Sequence, residues 1–118
     1  MEKMYAVAAL AALAQETRLD IFRLLVEAGA DGMPAGQIGE KLGLPSATLS
    51  FHLSQLKHAR LVKFRRESRS LIYSAEYAVM NGLLAYLTEN CCQGVAAACG
   101  LREIGQPDGS TVSRPEAG

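Results

Sequence analysis

Leu49-Ser50-Phe51-His52-Leu53-Ser54-Gln55-Leu56, with the run from Lys57 to Ser74 behind it, decides how this chain folds. Leu49, Leu53 and Leu56 recur at i, i+4 and i+7, the spacing that puts three side chains on one face of a helix. Ser46, Ala47, Ser50, Phe51 and Ser54 fall mostly off that face. Past residue 60 the period changes to two. Val62 and Phe64 alternate with Lys63 and Arg65, and Leu71 and Tyr73 with Ile72 and Ser74, around a polar Glu67-Ser68-Arg69-Ser70. That pattern predicts a β-hairpin with a basic tip.

Upstream, Gly32-Met33-Pro34 reads as a turn, with Pro34 suited to the first position of a short helix. Ile38 and Leu42 give that helix an apolar side and Gly43 closes it. Ile21, Leu24, Leu25 and Ala28 mark a further helix ended by Gly29, and Thr17 with Asp20 three residues on resembles a capping box at its start. Residues 4–14 form a helix that is apolar nearly all round (Val7, Leu10, Ala11, Leu13, Ala14) and must be covered by something. Met80, Leu83, Leu84 and Leu87 predict a last amphipathic helix. The order is therefore α-α-α-α-β-β-α, mainly α with a small β-hairpin. Residues 1–104 read as one domain and 105–118, rich in Pro, Gly, Ser and charge, as a flexible tail.

The chain has 118 residues, 49% of them hydrophobic, which suits a single domain with a core. Lys and Arg number 12 against 12 Asp and Glu, and zero net charge argues against a nucleic-acid binder until the distribution is read. Lys57, Arg60, Lys63, Arg65, Arg66 and Arg69 lie within thirteen positions beside one acid, Glu67. Such a local concentration is an electrostatic footprint whatever the total. The apolar run Met4–Ala14 after Lys3 looks like a signal-peptide core, but it reads better as the first helix. No run reaches the ~18 apolar residues of a membrane span, so the expectation is a cytoplasmic protein without a membrane partner.

Two short helices joined by a tight Gly-containing turn and followed by a basic hairpin compose a winged helix-turn-helix. The second helix of such a pair enters the DNA major groove, where base edges carry a distinct donor and acceptor code. Short polar side chains let the backbone come close. Ser46, Thr48 and Ser50 fit, Gln55 reaches a base or a phosphate, and Phe51 and Ala47 suit thymine methyl groups. Lys57, Arg60 and Lys63 position the domain on phosphates, and Arg65, Arg66 and Arg69 grip the backbone or minor groove. Taken singly, the serines are ordinary caps, the hairpin an ordinary solvated edge, and His52 a packing or hydrogen-bonding residue beside the apolar stripe. Their combination in order carries the reading.

Thr17-Arg18-Leu19, Leu49 to Leu56, Leu61-Val62 and Leu71-Ile72-Tyr73-Ser74 together resemble the ArsR/SmtB family of metal-responsive repressors, over about residues 5 to 90. The resemblance implies a homodimer on double-stranded operator DNA with an inverted repeat, released when metal binds. It also implies a dimer interface from the first and last helices, here Val7, Leu10 and Leu13 with Met80, Leu83, Leu84 and Leu87. A two-fold dimer sets its two reading helices about one DNA turn (~34 Å) apart.

The sequence departs from two of the sensor sites that the family uses. Its arsenic-sensing founder type carries cysteines at the start of the first helix of the helix-turn-helix; the matching Pro34-Ala35-Gly36-Gln37-Ile38-Gly39 has no thiol. Its zinc sensors place Asp and His on the last helix, and residues 76–90 contain neither. What remains is Cys91-Cys92-x6-Cys99, just past that helix. Three thiolates without imidazole or carboxylate make a soft site, and arsenite As(III) or antimony Sb(III), with three pyramidal bonds, suits it better than tetrahedral zinc. The expectation is an arsenite-responsive repressor with Cys91, Cys92 and Cys99 as ligands. A two-cysteine organoarsenical sensor, a thiol-redox sensor and a constitutive DNA binder with inert cysteines stay open. An enzyme is not expected, for there is no Cys-x-x-Cys and no phosphate-binding glycine loop.

Overall fold

The computed structural model describes residues 1–91. Five helices and three short strands follow in the order α1 (Lys3–Leu13), α2 (Glu16–Ala28), β1 (Met33–Pro34), α3 (Ala35–Leu42), α4 (Ser46–His58), β2 (Val62–Glu67), β3 (Ser70–Ala75) and α5 (Tyr77–Leu87). The strands form an antiparallel sheet with β3 in the middle, in the order β1-β3-β2. Residues 105–118, the expected tail, lie outside the described residues, as do Cys92 and Cys99.

The helix and hairpin readings hold, with two local corrections. Thr17 does not cap α2. Gln15 does, its Oε1 accepting from the Arg18 backbone N–H at 2.8 Å, while Thr17 lies inside the first turn. Glutamine is not a favoured cap, so the sequence signal pointed to the neighbouring threonine. Pro34 is not the first helical residue but the N-cap of α3, with extended backbone (φ −62°, ψ 145°), and it shares the two-residue strand β1 with Met33. Met33 pairs with Tyr73 and Pro34 with Ile72, making the hairpin a three-stranded sheet at its base. A two-residue strand leaves no periodicity to read.

Ile21, Leu25, Ile38, Leu56 and Leu61 are fully buried and form the centre of the core. Burying each contributes about 1.5–3 kcal/mol. On α1 the buried side is Ala6, Ala9 and Ala12, so small side chains let the helix lie close against α2 and α4. The α3–α4 turn ends on Gly43 in the left-handed region (φ 67°), and Leu44 N–H returns to the Gly39 carbonyl at 2.9 Å. Gly39 faces the turn and α4; a Cβ there would stand 3.2 Å from the Leu44 carbonyl oxygen and 3.4 Å from Leu49 Cδ2. At the other end of α4, Leu61 N–H bonds the Leu56 carbonyl and Arg60 N–H the Lys57 carbonyl, a left-handed cap with Arg60 at φ 67°. That cap turns the chain directly into β2.

Candidate nucleic-acid interface

Helix α4 buries Leu49, His52, Leu53 and Leu56 and turns its other side to solvent. At 100° per residue the outer ridge is Ala47, Ser50, Phe51, Ser54 and His58, all exposed. Phe51 is 56% exposed, touching buried His52 only edge-on at 5.4 Å, and so offers an apolar contact for a base edge. Ser46, Thr48 and Gln55 are exposed too. They do not share one face. Ser46 and Ser50 flank a groove of about 540 Å³ between α3, α4 and the hairpin, which Leu49, Leu53, Leu71 and Tyr73 floor. Gln55 instead lines a smaller groove towards α1 with Arg18 and His58, and Thr48 lies seven residues before it, on the same side of the helix. His58 is the ridge residue that sequence reasoning left out; its Nδ1 lies 2.9 Å from the Ser54 carbonyl oxygen. The signal was its spacing of four from Ser54.

The hairpin projects beyond the three-stranded base as a two-stranded ribbon. Its register pairs Phe64 with Tyr73 and Arg66 with Leu71, so these four share the face towards α4, while Arg65 and Ile72 share the other. Phe64 and Tyr73 stack at 5.6 Å between centroids, and Lys57 Nζ stands 4.5 Å above the Phe64 ring. The last turn of α4 is thereby joined to the hairpin. Its tip is a two-residue turn in which Ser68 has φ 55°.

The basic cluster divides in two. Arg66 and Arg69 are exposed and have no ion-pair partner among the described residues. Arg65 is engaged: its Nε donates to Glu67 Oε2 at 2.8 Å and Nη2 to the Asp31 carbonyl at 3.0 Å. Lys63 stands 3.9 Å from Glu76, and Arg60 stacks on Tyr5 at 4.5 Å. Lys57 on α4, like Arg60, lies over a ring that leaves its charge unneutralised, and Arg66 and Arg69 stay exposed towards the tip of the hairpin.

Three of the residues assigned to a dimer surface turn inward. Leu83 is buried in the core of the protomer, and Met80 and Leu13 pack half-buried against that core. Val7 and Leu10 on α1, with Leu84 and Leu87 on α5, stay 39–57% exposed on two helices that touch each other. Cys91 follows α5 in a short turn, its N–H on the Thr88 carbonyl at 3.0 Å. Among the described residues no group of three His, Cys, Asp or Glu is placed to hold a metal, and no helix is long and apolar enough to cross a membrane.

Residues 13–63, from the end of α1 to the start of β2, match the model of a helix-turn-helix domain family. The chain is 30% identical over 88 residues to the transcriptional activator HlyU of Vibrio cholerae, 75% of this chain and 79% of that one. It is 34% identical over 80 residues to the nodulation protein NolR of Rhizobium meliloti, 68% of this chain but only 63% of NolR, under two thirds of that relative's length. The solved structure of HlyU from Vibrio cholerae N16961 superposes with a TM-score of 0.60, 31% identity, and coverage of 79% of this chain and all of that one; it has also been solved in a reduced form. A homodimeric winged helix-turn-helix DNA-binding domain from Mycobacterium bovis, a possible ArsR-family regulator, matches at TM-score 0.58 and 26% identity over 73% of this chain and 80% of its own. With the helix-turn-helix, the basic wing and these relatives in agreement, the chain belongs to the ArsR family of winged helix-turn-helix transcriptional regulators.

Proposed function

We propose that this protein is an arsenite-responsive repressor that binds an inverted-repeat operator as a homodimer and leaves it when As(III) or Sb(III) is bound by Cys91, Cys92 and Cys99. The observation that carries the DNA half is the exposed ridge of α4, with Phe51 at its centre, beside the uncompensated Arg66 and Arg69 of the wing. The exposed Val7, Leu10, Leu84 and Leu87 are the apolar patch on which a second copy packs. That surface adjoins Cys91, so an ion gathering thiolates there pulls on the dimer helix and changes the separation of the two reading helices. A coupling of about 1–3 kcal/mol per dimer lowers operator affinity about 5–150-fold.

The test is a gel shift with a duplex recovered by in vitro selection, in reducing buffer, with and without arsenite. Release of the wild type, with retention by Cys92→Ser and Cys99→Ser, supports the three-thiolate reading. A normal arsenite response from Cys99→Ser removes it. A thiol-redox sensor is the second reading, favoured by the reduced form in which HlyU has been solved. Release by peroxide but not by arsenite selects it.

A further inference from the structure

The guanidinium of Arg18 ties three helices together at one point. Its Nε donates to the Ala12 carbonyl at 2.7 Å, in the last turn of α1. Its own backbone N–H is held by the cap that starts α2. Its Nη1 lies 3.3 Å from Nδ1 of His52, in the middle of α4. Arg has no acceptor and keeps its proton, so this hydrogen bond makes Nδ1 of His52 the acceptor and puts the imidazole proton on Nε2. His52 is buried, 9% exposed, on the side of α4 away from the ridge.

We propose that Arg18 is a positioning residue for DNA reading, which holds α4 at its working depth and angle relative to α1 only while His52 is neutral. The proposal rests on the assignment of α4 as the reading helix and adds the group that sets its place. Protonation converts Nδ1 from acceptor to donor and sets two cations side by side, so the hydrogen bond breaks. Burial, and then the Arg18 charge, push the His52 pKa below its usual 6.5, which keeps the hydrogen bond made at neutral pH. The groups around His52 are few. From α2 comes Arg18; from α1, the alanine face and the Ala12 carbonyl that Arg18 holds; from α4 itself, the Phe51 ring, edge-on at 5.4 Å. His58, the other histidine, shares the α1–α4 groove with Arg18. No carboxylate bonds either Arg18 or His52 among the described residues.

The experiment is fluorescence anisotropy of the full chain on its selected duplex, at about pH 7.5 and about pH 5, at fixed ionic strength. Wild type is expected to lose about tenfold in affinity at the lower pH. His52→Asn, whose Oδ1 keeps an acceptor at the Nδ1 position and does not titrate, is expected to match wild type at the higher pH and to lose less than about threefold at the lower. Arg18→Lys, a point charge without the fork, cannot serve Ala12 and His52 together and is expected to bind about fivefold or more weakly with unchanged helical content and dimer mass. A wild-type pH profile from His52→Asn overturns the proposal, as does wild-type affinity from Arg18→Lys. If Arg18→Lys does not fold, His52→Asn still decides. If wild type selects no duplex at neutral pH, it is the reading-helix assignment that fails, and the coupling falls with it.

Discussion

Arg65 donates from Nε to Glu67 Oε2 at 2.8 Å, two residues along the same face of one strand, so this arginine of the basic cluster already has a carboxylate partner. The pair is exposed and itself worth little to stability. Its consequence is for DNA. A cation contributes to the salt dependence of binding only when it displaces counterions from phosphate. Arg66→Ala and Arg69→Ala are therefore each expected to lower the slope of log K against log salt by about 0.9 for every phosphate no longer neutralised. Arg65→Ala should leave the slope nearly as it was. Anisotropy titrations over a salt series check this, and equal slopes for all three variants would count against the division of the wing into engaged and available charges.

Gly32 and Gly29 bracket the loop into β1, and both have positive φ (75° and 80°). Their surroundings differ. A Cβ on Gly32 would lie 2.4 Å from the Tyr73 carbonyl oxygen, a backbone atom in the central strand that cannot swing away, whereas one on Gly29 meets nothing within 4 Å. Gly29 has ψ −165°, outside the left-handed helical well and in a region essentially reserved for glycine, so Gly29→Ala is expected to cost a backbone term of about 1–3 kcal/mol and nothing more. Gly32→Ala adds displacement of β1 from β3 and should cost clearly more, about 3 kcal/mol or above. Urea unfolding midpoints at constant m separate the two.

Arg60 occupies a left-handed cap position where glycine is the usual residue, and its guanidinium lies over the Tyr5 ring at 4.5 Å. The ring interaction is worth about 0.5–1 kcal/mol at an exposed site, while left-handed backbone costs a non-glycine residue about 1–2 kcal/mol. Glycine also has more conformational freedom to lose on folding. Arg60→Gly is thus expected to change stability by less than about 1 kcal/mol. In a Tyr5→Leu background the same substitution should be more favourable by about 0.5–1 kcal/mol, the signature of the missing stacking. A double-mutant cycle by thermal or urea unfolding measures it, and a coupling of zero would show the stacking to be idle.

His52 also links stability to pH. Burial and Arg18 hold its folded-state pKa below the unfolded value near 6.5, so the unfolded chain binds the proton first. The stabilising contribution is complete above about pH 6.5 and is lost as pH falls through the folded-state pKa, with a limiting slope of about 1.4 kcal/mol per pH unit for one proton. His52→Asn is expected to flatten the urea-midpoint profile in this acid window. An unaltered profile in His52→Asn would assign the acid sensitivity to other groups.

The sequence by itself determined the helices, the hairpin and the outward side of α4, because each rests on local spacing. Leu49, Leu53 and Leu56 can be inward only if Ala47, Phe51 and Ser54 are outward. It also exposed the basic run from Lys57 to Arg69, since charge density needs no coordinates. Two-residue β1 was hidden, because strand pairing with Tyr73 and Ile72 forms between residues far apart in the chain. The division of the arginines was equally hidden: Arg65 is held by Asp31, thirty-four positions away, through a carbonyl that no sequence pattern marks. Leu83 and Leu87 look alike on a helical wheel, and only packing decided that one is core and the other surface. The same is true of Arg18 and His52, which are unremarkable at their own positions and gain a shared role only because α1, α2 and α4 converge where the two side chains meet.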